Sequence, residues 1–313
     1  MLKSAFLALA ALAGFTPAMA QTSPFEKGLN TMWEVLWHQS GTATRLVRWE
    51  QDIKVRAFGG GAQARQDSVQ TLREVAAVGG VKVIDVSSSP DAARMANVSI
   101  EIVPDAALSE DQPCETRLNF RTEAALDSVA LQMRASDVKR CIYHESMHVM
   151  GVRGHPEGST VLSYFEHHDG GLTGLDKVML RAWYSPRAKG GMTPFEVMPI
   201  LADELVAAMP DKARARAERD RFLARIVGEM QAFAEGEGDV PAIVKRSGKS
   251  SDLGIRFGRM EMSFFLGVAY QQGVGVAQDV AQASRWLRRA ASLGSRSAIT
   301  LLGAGGASVA GNR

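Results

Sequence analysis

Apolar and polar residues change rhythm several times along this chain, and each change marks an element. Ile53, Val55 and Ala57 alternate with Lys54 and Arg56, the two-residue period of a half-buried strand. After Gly59-Gly60-Gly61, the residues Val69, Leu72 and Val75-Ala76 fall on one face of a helix that Gly79-Gly80 stops. Val81 to Val86 and Val98 to Val103 read as two further strands. In the second, Val98, Ile100 and Ile102 share one face, and Ser99 and Glu101 the other. Strand, helix, strand, strand predicts an α+β core. From about Asp137 to Met150 the pattern is helical, with Ser136 as the expected N-cap and Gly151 as the expected left-handed stop. Residues 152–171 read as loop. Thr173 then opens a helix in which Asp176 is the capping acid and Leu175, Val178-Met179 and Ala182-Trp183 form one apolar stripe.

Beyond Ser185-Pro186-Arg187-Ala188-Lys189-Gly190-Gly191 the chain turns wholly helical. Pro194 to Met209 and Asp211 to about Glu235 read as helices, the second charged enough to face solvent, and a polar, glycine-containing linker covers about 236–254. Leu266-Gly267 recurs as Leu302-Gly303, and Met262 as Ala298, an internal echo of period 36. The organisation expected is a leader at 1–20, an α+β domain at 21–190, a helical linker region at 191–253 and a terminal helical region at 254–313.

The leader reads as a secretory signal peptide: Lys3, an apolar run from Ala5 to about Phe15, then Ala18-Met19-Ala20 before an expected cleavage site at Gln21. It places the mature chain in the periplasm or outside the cell. No later segment reaches the roughly 18–20 uninterrupted apolar residues of a membrane span. Residues 21–40 are a candidate propeptide. The balance of 36 Lys and Arg against 34 Asp and Glu argues against a nucleic-acid partner. For an exported chain, the two cysteines, Cys114 and Cys141, read as one disulfide, with Cys141 as a metal ligand the alternative. Such a bridge contributes about 3–4 kcal/mol in the chain-entropy model and fastens the segment at Cys114 to the helix carrying His144.

Five of the six histidines lie between residues 144 and 168. His144 and His148 are four apart on a helix, so both imidazoles leave one face and can close on one zinc ion. Glu145 stands beside the first histidine, placed to take a proton from a zinc-activated water. Two histidines leave a catalytic zinc one protein ligand short. Gly151 can turn the backbone toward the metal, and His155 is the expected third ligand. Glu166, His167 and His168 are the alternatives.

His144-Glu145-x-x-His148-x-x-Gly151 followed by a third histidine resembles the metzincin signature. Ser159-Thr160-Val161-Leu162-Ser163-Tyr164 resembles the turn that underlies the metal in that clan, and Leu172-Thr173-Gly174-Leu175-Asp176 the start of its closing helix. The resemblance implies a zincin domain, a mixed sheet with an active-site helix, and gives Tyr164 a role at the metal or the carbonyl oxygen. Two departures stand out. His155 comes one residue later than the usual spacing, with Gly154 the extra residue, and Leu162 replaces the methionine of the turn. More narrowly, residues Cys141 to Met192 are similar to DUF2927, a bacterial family of predicted secreted metallopeptidases. The terminal echo resembles a Sel1-like repeat of the tetratricopeptide class, which implies a protein-contact surface.

The function so expected is an exported zinc-dependent peptidase. It hydrolyses peptide bonds in a peptide or protein substrate, with Glu145 as general base, Tyr164 as stabiliser, and His144, His148 and His155 as ligands. The rival is a non-catalytic envelope scaffold with a structural or vestigial zinc site.

Overall fold

Each strand read from the alternation forms, together with two that were not read. The computed structural model describes residues 23–37, 45–122, 124–163, 170–246, 252–273 and 275–310. The segment 1–20, read as a signal peptide, lies outside them. So do Tyr164, Glu166, His167 and His168. The strands are β1 (Ile53–Gly59), β2 (Val83–Asp85), β3 (Val98–Val103), β4 (Cys114–Thr122) and β5 (Ala125–Arg134). They form one mixed sheet in the order β2-β1-β3-β5-β4. The first four run parallel, with Val55 opposite Val98 and Ile100 opposite Leu131. β4 returns antiparallel along β5, with Thr116 opposite Leu131.

The β4–β5 hairpin escaped the sequence reading although its alternation is present. Thr116, Leu118 and Phe120 take one face of β4, and Glu115, Arg117, Asn119 and Arg121 the other. As an edge strand, β4 buries little of either face, which leaves an alternation too polar to stand out from a loop.

Helices α2 (Ala62–Val78) and α4 (Val138–Val149) pack on each other and against the sheet, and the short α3 (Ala92–Met95) precedes β3. α4 begins after a single 3-10 turn at Ala135–Asp137. The expected cap, Ser136, is displaced by that turn. Its backbone N–H goes to Asp105 Oδ1 and its hydroxyl to Asp137. The C-terminus of α4 ends as expected. Gly151 has φ 90°, its N–H bonds the carbonyl of His148, and the Val152 N–H reaches back to Met147, a Schellman closure. Helix α5 (Gly174–Trp183) starts with a reciprocal capping box between Thr173 and Asp176.

The segment read as a candidate propeptide is part of the core where it is described. Pro24–Val35 is helix α1, and Phe25, Leu29, Met32, Trp33 and Val35 are all buried. It packs between the loop after α4 and two later helices, α6 (Pro194–Ala208) and α7 (Lys212–Glu235). The interval read as a linker holds a short helix, α8 (Ala242–Arg246), with Ile243 and Val244 buried. Helices α9 (Asp252–Gln272), α10 (Val280–Ser292) and α11 (Arg296–Ala310) complete a helical layer that joins the rest through α6 and α7. Met262, Leu266 and Ala298, three positions of the internal echo, are fully buried there. Cys114 and Cys141 form a disulfide between β4 and α4. No helix among the described residues is long and apolar enough to cross a membrane.

Candidate metal centre

Helix α4 is anchored at the end that carries the histidines. Trp49 Nε1 donates to Val149 O at 2.8 Å and Tyr184 Oη to Met150 O at 2.9 Å, so carbonyls that a helix C-terminus leaves unpaired are satisfied by neighbours. Burial of Met147, Val149 and Met150 holds the opposite face in the core. His144 and His148 are thereby presented on a fixed cylinder.

The structure brings His144, His148 and His155 to one point. Their Nε2 atoms are separated by 3.0 Å (His144 to His148), 3.0 Å (His148 to His155) and 3.2 Å (His144 to His155). Nδ1 of His144 lies 2.8 Å from Val161 O, and Nδ1 of His148 lies 2.7 Å from Val152 O. A carbonyl only accepts, so both Nδ1 atoms carry the proton and both Nε2 atoms present a lone pair. Lone pairs converging at 3 Å repel one another unless a cation lies between them. Zinc with tetrahedral nitrogen ligands at about 2.0–2.1 Å sets those nitrogens about 3.3–3.4 Å apart, so the three imidazoles fit such an ion. Among the described residues no other group of three His, Cys, Asp or Glu converges in this way. The pKa of His144 is pushed down to about 4, by burial first and by the adjacent His148 second, so its imidazole is neutral at physiological pH.

Residues 151–163 bring in the third ligand and are fixed from two sides. On one side lies α1. A Cβ on Gly154 would stand 2.2 Å from Val35 O, and one on Gly158 would stand 1.8 Å from Thr31 Oγ1. The loop lies that close because both residues are glycine. Glu157 N–H adds a 2.9 Å bond to Glu34 Oε2. On the other side lies Asp176, fully buried. It accepts from the Thr160 hydroxyl, from Val161 N–H at 3.3 Å, and from Thr173 N–H and Oγ1 at 2.8 and 2.7 Å. The acid that caps α5 thus also holds the turn whose carbonyl, Val161 O, orients His144. The sequence reading had Asp176 as a cap and missed this second role, for which the interval between Thr160 and Asp176 carries no local periodicity. Leu162, within the turn, is fully buried.

Glu145 projects from the same helix into a cleft of about 540 Å³ that the three histidines also line. Cys114, Glu115 and Thr116 of β4 and Val161 and Ser163 of the loop after α4 line it as well. Only 4% of Glu145 is exposed. Burial raises its pKa, while a hydrogen bond from Thr116 Oγ1 pulls the other way. Thr116 is a second residue that the sequence reading missed, since it sits on the strand that was not recognised. Cys141 is held in the disulfide and takes no part in the cluster.

A family model described as "Protein of unknown function (DUF2927)" matches residues 34–203, more than half of the chain. The chain belongs to that family. The match spans the sheet, α4, the histidine cluster and most of α6. No curated protein and no solved structure gives a match.

Proposed function

We propose that this DUF2927 protein is an exported zinc-dependent peptidase, with His144, His148 and His155 as metal ligands and Glu145 as general base. The observation that carries the reading is the convergence of three imidazole Nε2 atoms in an open cleft that also contains a buried carboxylate with no role as a ligand. A purely structural site has no use for that acid, which weighs against the rival envelope scaffold. Zinc in such a site supplies Lewis acidity, polarising a carbonyl and making a water deprotonable near neutral pH.

The chain's own residues carry the remaining steps. Val161 O and Val152 O keep His144 and His148 in the tautomer that ligates. Glu145, with its pKa raised by burial, takes a proton from the attacking water and returns it to the leaving amine. Tyr164 belongs to the proposal as a donor to the carbonyl oxygen as it gains charge. An extended peptide suits the site because β4 borders the cleft and has only β5 as a strand neighbour among the described residues, so its outer edge offers backbone donors and acceptors. The metzincin likeness of the signature and the Sel1 likeness of the terminal helices fit this reading, the latter supplying a surface for a protein partner.

Glu145→Gln tests it. The variant keeps its zinc and loses hydrolysis of labelled casein by about 10²–10⁴-fold, the usual contribution of a general base. Equal activity in the two forms, or none in either once zinc-loaded, favours the scaffold.

A further inference from the structure

Two contacts tie β4 to α4 beside the histidines. Cys114 is disulfide-bonded to Cys141, with the Cα atoms 6.1 Å apart, and the Thr116 hydroxyl donates to Glu145. Cys114 and Thr116 are two apart on a strand, so they share a face about 6.8 Å apart. Cys141 and Glu145 are four apart on a helix, so they too share a face about 6 Å apart. Because these spacings match, the disulfide fixes the register in which Thr116 meets Glu145. β4 needs such a fixture, since it is an edge strand that buries little of its surface.

We propose that Cys114–Cys141 and Thr116 form a two-rung clamp positioning the Glu145 carboxylate, so that opening the disulfide disarms the hydrolytic site without emptying the histidine cluster. The proposal rests on the peptidase reading above. Thr116 is a positioning residue: it meets the base, and neither a ligand nor the metal. The ligands are held by other groups, His144 by Val161 O and His148 by Val152 O, both on the loop after α4. Closure moves two electrons and two protons from the Cys114 and Cys141 thiols to a disulfide oxidant, which leaves as two thiols. A chain still in a thiol-rich compartment therefore carries an unclamped base, and oxidation after export arms it. Cys114 lines the cleft, which gives exchange partners a path to the bond.

The test compares zinc-loaded wild type, the same protein reduced by a phosphine, Thr116→Val, Thr116→Ser and the double variant Cys114→Ser/Cys141→Ser. Zinc per chain is read by native mass spectrometry, acetohydroxamate affinity by calorimetry, and kcat and KM on labelled casein. Acetohydroxamate gives up its N–OH proton on chelating a cation, and a carboxylate held beside the cation takes that proton. Its affinity therefore reports on the position of Glu145 without any turnover. We expect full zinc occupancy throughout. In Thr116→Val and in both disulfide-free forms, kcat falls by about tenfold or more with KM within about twofold, and acetohydroxamate binds about tenfold more weakly. Thr116→Ser retains most of both. Wild-type kcat and acetohydroxamate affinity in Thr116→Val and in the reduced protein would overturn the clamp. So would zinc loss on reduction, since the disulfide would then hold the ligands. If the double variant does not fold, phosphine-reduced wild type and Thr116→Val carry the test. A zinc-loaded wild type that hydrolyses nothing defeats the peptidase reading alone. Weakened acetohydroxamate binding in Thr116→Val still supports the clamp in that case.

Discussion

Helix α4 and the segment 151–163 bring imidazoles to the same point by different means. α4 does it with local geometry: two histidines four residues apart on a cylinder whose other face is buried. The segment 151–163 has no regular structure of its own and is held by what lies on either side, α1 through Val35, Thr31 and Glu34, and α5 through Asp176. One half of the site is therefore specified by a few consecutive residues, and the other by contacts with residues far off in sequence. The two halves should fail in different ways when perturbed.

The largest effect separates them directly. His148→Ala and His155→Ala should each weaken zinc binding well beyond the roughly 10–100-fold typical of losing a group that only supports a ligand. They should differ in the metal-free protein. His148 is 8% exposed and holds Val152 O, so its removal leaves a hole and an unpaired carbonyl that cost about 2 kcal/mol. His155 is only partly buried, so its loss should leave the metal-free melting temperature nearly unchanged. Zinc titration and thermal unfolding of both variants check this, and equal destabilisation would mean that the segment 151–163 is as rigidly built in as α4.

The same contrast explains how far the sequence could be read. β1, α2, β3, α4 and α5 carry their periodicity in consecutive residues, and the Gly151 stop and the Thr173–Asp176 capping box are local motifs, so each was legible. Ser136 was misread as a cap because the 3-10 turn that displaces it depends on Asp105, far back along the chain. α1 reads as a candidate propeptide because nothing within residues 21–40 announces that this helix, with Leu29, Met32 and Trp33 buried, packs on α6 and α7. The three histidines could be named from spacing and from the metzincin resemblance. What orients and surrounds them could not, because Val161 O, Asp176, Val35 and Thr116 act through tertiary contact alone. Gly154, read as the extra residue relative to the metzincin signature, shows the point well: its lack of a side chain lets the loop lie against the Val35 carbonyl.

Next in size is Asp176→Ala. It strands the Thr160 hydroxyl and the N–H groups of Val161 and Thr173 in a buried place, at a cost of about 3 kcal/mol or more. Because Val161 O orients His144, zinc affinity should also drop by about 10–100-fold with all three ligands intact. Denaturant unfolding and zinc titration measure the two effects. A variant that lost stability with unchanged zinc affinity would separate the turn from the metal site. Gly154→Ala should do less, about 1–3 kcal/mol. The atoms nearest its new methyl are backbone atoms of Val35, which cannot rotate aside, so the loop has to move off α1 and draw His155 with it.

The smallest effect, and of opposite sign, is expected at Gly174. It is the first residue of α5, two positions before Asp176, and a Cβ there would meet nothing within 4 Å. Its φ is not positive, so alanine fits the native backbone and chiefly reduces the freedom of the unfolded chain. Gly174→Ala should therefore stabilise by about 0.5 kcal/mol, raise the melting temperature by about 1–2 °C, and leave zinc affinity alone. Paired with Gly154→Ala it applies one chemical change on either side of the turn that orients His144. If both variants lost zinc affinity, contact with α1 would not be what holds His155, and the distinction between a locally built and a remotely held half of the site would fail.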